Sequence, residues 1–183
     1  MLAALVAAPA LATAQPGAAT RVGVGVRIEP AFVLPNQNGG ALAGAAPSFS
    51  LPIDVNGLVR IEPEVGFVSN TQESGSSTIT ARQLAVGLAV GALVPREDVT
   101  LTAGARVRYL RFSFEFDGDF GLSDGTVSGF GIGPFVGGEY PFSGRFALGG
   151  EAGVEYRGYD FDSENVDASV VTTTAALSVR FFF

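Results

Sequence analysis

The chain has 183 residues, of which 47% are hydrophobic and 16% charged, and its formal net charge is -7 at pH 7. This length suits one domain, and the low charge together with 25 glycines is more typical of a membrane protein than of an ordinary soluble one. Histidine, cysteine and lysine do not occur, which excludes disulfides, thiolate metal sites and histidine-based catalysis. The negative charge also argues against a nucleic-acid partner.

The beginning of the chain predicts a secretory signal peptide over residues 1–14. An apolar stretch leads to Ala12-Thr13-Ala14, the small-residue pattern of a cleavage site before Gln15. No arginine or lysine precedes that stretch, so we expect the natural start to lie further upstream. The alternative is a short buried helix retained in the mature protein. A single domain is predicted over residues 15–183.

The rest of the chain divides into segments typical of β-strands, separated by turn signals. After residue 15, no apolar run approaches the roughly 18 residues that a membrane-spanning helix requires. A chain that spans a bilayer must then do so with strands. The eight predicted strands cover residues 21–34, 48–55, 58–69, 79–93, 99–116, 127–141, 145–159 and 169–183.

The predicted connections alternate between long and short. The short ones lie at 55–57, 95–98 and 142–145, and the long ones at 35–47, 70–78, 117–125 and 162–167. This alternation, with both chain ends on the short-turn side, is typical of bacterial outer-membrane barrels. The sequence therefore predicts an all-β fold: an eight-stranded antiparallel up-and-down transmembrane β-barrel.

Side chains alternate between the two faces of each predicted strand with a period of two. In the first strand, Arg27 and Glu29 share one face, while the valines and Ile28 share the other. The fifth strand departs from this pattern, because Val107 sets one apolar phase and Phe112 sets the opposite one. A bulge or strand end is therefore expected near Leu110.

The polar faces carry mostly glycine, alanine and serine, with interspersed arginine and glutamate. A water-exposed face normally holds lysine, glutamate, threonine and asparagine, so this composition suits the narrow lumen of an eight-stranded barrel better. Arginine on the lipid side would cost about 2–4 kcal/mol at mid-bilayer, whereas inside the lumen it can pair with carboxylates. The predicted lumen salt-bridge network comprises Arg27, Glu29, Arg60, Glu62, Glu64, Arg106, Arg108, Glu139, Glu151, Glu155, Arg157 and Arg180.

The final segment, ALSVRFFF, alternates apolar residues and ends in an aromatic one. With this ending, residues 21–183 resemble the small outer-membrane β-barrel proteins of Gram-negative bacteria, the group of OmpX and the OmpA barrel domain. The resemblance implies localisation in the bacterial outer membrane and an assembly signal at Val179, Phe181 and Phe183 for the barrel assembly machinery. It also implies aromatic girdles: Tyr140, Phe142, Phe146 and Phe183 on the periplasmic side, and Phe32, Phe49, Phe67 and Tyr156 on the outer side.

The predicted function is a structural or surface-interaction role for a monomeric barrel with a plugged lumen and no cofactor. Its expected partners are outer-membrane lipid and lipopolysaccharide. Barrels of this kind that modify lipid A use a catalytic histidine, which is absent here, so no enzyme is predicted. The alternatives are a small or gated pore and, less favoured, a soluble lipocalin-like ligand-binding barrel.

The long connections are acidic. Asp117, Asp119 and Asp124 offer carboxylates to a Ca²⁺ ion, but the segment lacks the full series of EF-hand ligands. No metal site is therefore predicted, and a solvated acidic loop is preferred.

Overall fold

A computed structural model of the protein describes residues 20–29, 46–74, 77–117, 124–161 and 166–183. Within these residues no helix is long and apolar enough to cross a membrane. The strands are β1 (Arg21–Glu29), β2 (Ala46–Ser50), β3 (Ile53–Val55), β4 (Val59–Ser74), β5 (Ser77–Pro95), β6 (Thr100–Asp117), β7 (Gly125–Pro141), β8 (Phe146–Phe161) and β9 (Val166–Phe182).

The strands form one antiparallel sheet that closes on itself, because β9 pairs with β1. β2 and β3 share one position in the wall, since both pair with β1 and β4 in a single continuous register. The interruption includes Pro52, which has no N–H to contribute to the sheet. Its carbonyl still accepts a 2.9 Å hydrogen bond from the Gly23 N–H. The predicted eight-stranded up-and-down barrel is confirmed.

The three connections predicted to be short, at 55–57, 95–98 and 142–145, lie together at one end of the barrel, here named the turn end, where β1 begins and β9 finishes. Asn56 and Gly57 both have positive φ, 53° and 63°, as a type I′ hairpin turn requires. The Leu58 N–H donates to the Val55 carbonyl at 3.0 Å. In outer-membrane barrels the short turns face the periplasm, so the opposite end, here named the loop end, faces outward.

The hairpin of β4 and β5 is longer than predicted. Most of the expected loop at 70–78 is strand, with Ser74 paired to Ser77 and the hydroxyls of Thr71 and Thr80 3.2 Å apart. Threonine favours strands, and a polar wall is stable where the strands leave the bilayer. The signal peptide, residues 30–34 of the predicted first strand and most of the connection at 35–47 lie outside the described residues.

The outer wall of the barrel carries a continuous band of exposed apolar side chains, and the inner wall carries the charges. This polarity is the reverse of a lipocalin-like barrel, which would keep its apolar face inside. The band suits contact with acyl chains. Its members include Val22, Val24, Val26, Phe49, Leu51, Ile61, Val65, Phe67, Val86, Leu88, Val90, Leu101, Val107, Tyr109, Phe130, Ile132, Val136, Leu148, Val154, Tyr156, Val171, Leu177 and Val179.

β6 contains no bulge, so the prediction of a bulge or strand end near Leu110 is wrong. Its pairing with β5 continues without a break from Thr100 to Asp117. Leu110 and Phe112 are buried inside the barrel, and Arg111 is exposed on the outside. The pattern inverts because the wall leaves the bilayer here: its outer face now meets water, and its inner face takes the apolar residues.

Candidate functional site

The lumen is the candidate site, since it gathers the buried charged side chains of the barrel. Each of the twelve residues in the predicted network takes part in at least one ion pair within 4.0 Å. These pairs separate into two groups along the barrel axis. The loop-end cluster comprises Arg27, Arg106, Arg108, Arg157, Glu29, Glu64, Glu151 and Glu155. The turn-end cluster comprises Arg21, Arg60, Arg180, Asp54, Glu62 and Glu139.

In the loop-end cluster, arginines and glutamates from different strands alternate. Arg27 of β1 is 2% exposed and donates to Glu29 at 2.8 Å and to Glu151 of β8 at 3.1 Å. Glu151 also accepts from Arg106 of β6 at 2.9 Å. Arg106 and Arg108 both contact Glu64, at 3.3 and 2.8 Å, and Arg108 donates to Glu29 at 2.7 Å, so the chain of ion pairs returns to β1. Four arginines thus face four glutamates across the lumen.

The turn-end cluster is built around two arginines. Arg60 donates to Asp54 at 2.6 and 2.9 Å and to Glu139 at 2.7 Å. Arg180 donates hydrogen bonds to both carboxylate oxygens of Glu62 at 3.0 Å and to Glu139 at 2.9 Å. Such forked contacts suit the planar guanidinium better than a lysine ammonium group.

Sequence reasoning missed two members of the turn-end cluster. Asp54 is only 1% exposed, and Arg21, at the rim, donates to it at 3.0 Å. Asp54 was overlooked because it lies two residues before the turn at Asn56, where an aspartate is expected to be solvated. Its position in the sequence could have identified it: Asp54 follows Ser50 and Pro52 at alternate positions, so the three share one strand face, and all three are buried. With this pair included, seven arginines face seven carboxylates.

Glycines in the wall give the long charged side chains their space. A Cβ at Gly87 would lie 2.8 Å from Glu64 Oε1 and 3.0 Å from the Arg108 side chain. Gly131 similarly faces the Glu155 carboxylate, with no room for a side chain between them. The high glycine content of the inner faces is therefore a packing requirement of the ionic lumen.

Apolar residues cover both ends of the ionic layers. Towards the loop end Leu110 is buried and the rings of Phe112 and Tyr159 pack with centroids 6.2 Å apart. At the turn end the Phe182 ring is buried under Arg21, whose guanidinium carbon lies 4.3 Å from its centroid. Phe135 lies between the clusters, and the guanidinium carbon of Arg106 is 4.8 Å from the centroid of its ring.

The space left in the ionic lumen is small. A cavity between the clusters, bordered by Arg27, Glu62, Glu151 and Arg180, has a volume of about 20 Å³. This is room for about one water molecule and far less than a hydrated ion needs. Each charged group that borders it is also in an ion pair. The arrangement fills the barrel.

The remaining predicted residues lie on the wall or near the loop end. Val179 and Phe183 point outward, and the Phe181 ring contacts Phe183 at 5.4 Å between centroids. Asp117 is exposed, Asp124 accepts a hydrogen bond from the Phe116 N–H at 2.9 Å, and Asp119 lies outside the described residues. Among the described residues, no group of three carboxylates is placed to hold a metal ion.

The outer girdle is only partly as predicted. Phe49, Phe67 and Tyr156 are exposed on the outer wall, whereas Phe32 lies outside the described residues. Tyr109 and Phe130, which sequence reasoning did not assign to it, also lie there. At the turn end Phe142 and Phe146 stack at 5.8 Å.

A family of known proteins matches almost the whole chain. The family is described as the outer membrane protein beta-barrel domain, and the match covers residues 1–181. The chain belongs to this family. No characterised protein sequence matches it significantly. The family and the fold together show that the protein is a barrel of the bacterial outer membrane.

Solved structures of outer-membrane proteins share the fold. Neisserial surface protein A aligns with 90% of this barrel and 97% of its own chain, at 20% sequence identity and a TM-score of 0.54. A major outer membrane protein from Thermus thermophilus aligns with 90% of this barrel and 100% of its own chain, at 19% sequence identity and a TM-score of 0.54. The attachment invasion locus protein Ail of Yersinia pestis, solved with a heparin analogue, aligns with 90% of this barrel and 97% of its own chain. Its sequence identity is 12% and its TM-score is 0.54.

Proposed function

We propose that this barrel is a closed, non-enzymatic component of the outer membrane, with a structural role or a role in presenting its outer loops to partners. It contributes to the envelope as a rigid, lipid-anchored body. The protein acts as a monomer in contact with outer-membrane lipid and lipopolysaccharide. It reaches the membrane through the barrel assembly machinery, which reads Val179, Phe181 and Phe183.

The observation that carries this proposal is the filled lumen. Six arginines inside the wall and Arg21 at its rim neutralise seven carboxylates. A permanent aqueous pore would leave a continuous wet path between them. Instead the forked contact of Arg180 with Glu62, at 3.0 Å, spans the lumen from β9 to β4. Separating such a pair inside the lumen would leave two buried charges without partners, so opening is disfavoured.

Catalysis is also unsupported by the arrangement of these side chains. A general acid or base needs a titratable group that reaches a substrate. The lumen carboxylates are instead held by arginines, as Glu139 is by Arg60 and Arg180. The small cavity beside them has no room for a substrate.

Single-channel recording in planar bilayers tests the proposal. The wild-type protein is expected to pass almost no steady current. The positive control removes two charges of each sign from the turn-end cluster: Arg60→Ser, Glu62→Ser, Glu139→Ser and Arg180→Ser. This variant keeps the lumen neutral while emptying it, so it is expected to conduct. Heat-modifiability on a gel confirms that both proteins are folded, and wild-type current steps as large as those of the control would contradict the proposal.

A further inference from the structure

A groove on the outer wall, near the loop end, is not explained by the filled lumen. Its volume is about 520 Å³, and it crosses β6, β7, β8 and the start of β9. Its floor includes Tyr109, Phe130 and Tyr156, which are 50%, 53% and 42% exposed. The rings of Phe130 and Tyr156 lie 6.1 Å apart. Gly158 lies beneath Phe130, where a Cβ would come within 2.9 Å of the ring.

The groove lies at the boundary between the apolar band and the polar wall beyond it. Tyr109 pairs in register with Phe130, and one step towards the loop end Arg111 pairs with Ser128. Ser128 in turn pairs with Asp160. Aromatic side chains thus lie on the membrane side of the groove and hydrogen-bonding groups on its outer side. This is the level of the lipid headgroups in the outer leaflet.

Arg111 supplies a positive charge beside this groove. Of the other arginines in the described part of the chain, six pair in the lumen and Arg21 pairs with Asp54 at its rim, while Arg96 and Arg145 lie at the turn end. Arg82, its diagonal neighbour on β5, forms an ion pair with Glu115. Arg111 makes no ion pair within the described residues, although the surrounding wall is acidic.

We propose that this groove binds the phosphorylated sugar headgroup of an outer-leaflet glycolipid, the lipid A portion of lipopolysaccharide. A phosphate pairs with Arg111, the sugar rings lie against Phe130 and Tyr156, and hydroxyls hydrogen-bond with Ser128. Asp160 lies two strands from Arg111, roughly 10 Å away at ordinary strand spacing, so it reaches the sugar rather than the phosphate. The inference deepens the proposed membrane role by giving the lipid partner a specific site.

Charge complementarity and location together favour this occupant. A guanidinium contacts phosphate in a forked geometry, and among the described residues Arg111 has no carboxylate partner that would offset its charge. In the outer membrane, the groups that surround the wall at this height are glycolipid headgroups. A second copy of the chain would bring the acidic residues of its own rim, Glu115 and Asp160 among them, towards the same acidic surface.

The test measures glycolipid binding to the purified full-length protein folded in detergent micelles. Arg111→Gln is compared with Arg96→Gln, which removes the same charge from an exposed turn at the opposite end. The probes are diphosphorylated lipid A, the same lipid without phosphates, and soluble pyrophosphate. We expect the wild type to prefer phosphorylated lipid A, Arg111→Gln to weaken that binding about tenfold or more, and Arg96→Gln to change it less than twofold.

A second variant, Phe130→Ala, tests the aromatic floor and is expected to weaken binding of both lipids. Equal effects of Arg111→Gln and Arg96→Gln would overturn the site, as would equal binding of the two lipids. Full competition by pyrophosphate at matched concentration would assign the charge to free phosphate instead. Loss of wild-type binding on dimerisation would assign the groove to a second copy. None of these outcomes alters lumen conductance, so the site and the closed barrel are tested separately.

Discussion

Replacing Arg180 by methionine removes a cation that two buried carboxylates share. In the wild type, Arg180 contacts both oxygens of Glu62 at 3.0 Å and one oxygen of Glu139 at 2.9 Å. After the change Glu139 keeps its 2.7 Å contact with Arg60, whereas Glu62 keeps only the Ser50 hydroxyl at 2.7 Å. One buried carboxylate, that of Glu62, is left without a hydrogen-bonded cation.

The expected cost of Arg180→Met is about 3–5 kcal/mol of unfolding free energy, because one partner of a buried pair has gone. Both side chains are nearly inaccessible to water, so solvent screening offsets little of it. The double variant Arg180→Met/Glu62→Gln removes the stranded charge as well. It is expected to be at least as stable as Arg180→Met alone. The coupling free energy is then at least as large as the cost of the single change Glu62→Gln, about 1–3 kcal/mol.

The measurement is urea-induced unfolding of the refolded protein in lipid vesicles, followed by the β-sheet signal in circular dichroism because tryptophan is absent. Arg96→Met, in an exposed turn, is the control and is expected to change stability by less than about 0.5 kcal/mol. A cost of Arg180→Met below about 1 kcal/mol, or simple additivity of the two single changes, would refute the reasoning.

Two further predictions concern the outer wall. Leu88→Arg puts a charge in the middle of the apolar band and is expected to cost about 2–4 kcal/mol in the same unfolding assay, whereas Thr71→Arg, beyond the band, costs less than about 1 kcal/mol. Equal costs would place the bilayer elsewhere on the wall. Phe183→Ala is expected to lower the amount of protein assembled in the outer membrane of cells while changing refolded stability by less than about 1 kcal/mol. Phe142→Ala, another exposed turn-end aromatic, is its control, and equal losses of both in cells would argue against a terminal signal.

The fold could be predicted from sequence because the bilayer imposes one polarity on every strand within it. Arg27 and Glu29 alternate with valine and isoleucine, and only an inward orientation satisfies both sets. The same logic failed at Leu110 and Phe112, where the wall passes from lipid into water. A single rule, apolar residues outward and polar residues inward, could not hold for the whole strand, because the outer wall contacts lipid along one part of it and water along the other.

The pairing inside the lumen was less predictable than its membership. Sequence position does not show that Arg180 would contact Glu62, because the partners belong to strands that are not neighbours in the sheet. These contacts depend on the strand stagger and the lumen diameter, which sequence periodicity does not contain. Asp54 was missed for a related reason: its partner Arg60 approaches it across a turn that looked solvent-exposed.

The cross-lumen ion pairs have a consequence for how the protein is made. Arg27 of β1 contacts Glu151 of β8, and Arg180 of β9, the last strand, contacts carboxylates on β4 and β7. A sheet in which the first and last strands have not yet paired cannot form the contacts of Arg27 with Glu151 and of Arg180 with Glu62. The charged groups of these two pairs therefore stay hydrated while the chain is in the periplasm and lose their water when the first and last strands meet. Dehydration of the interior and entry into the bilayer are in this sense one step.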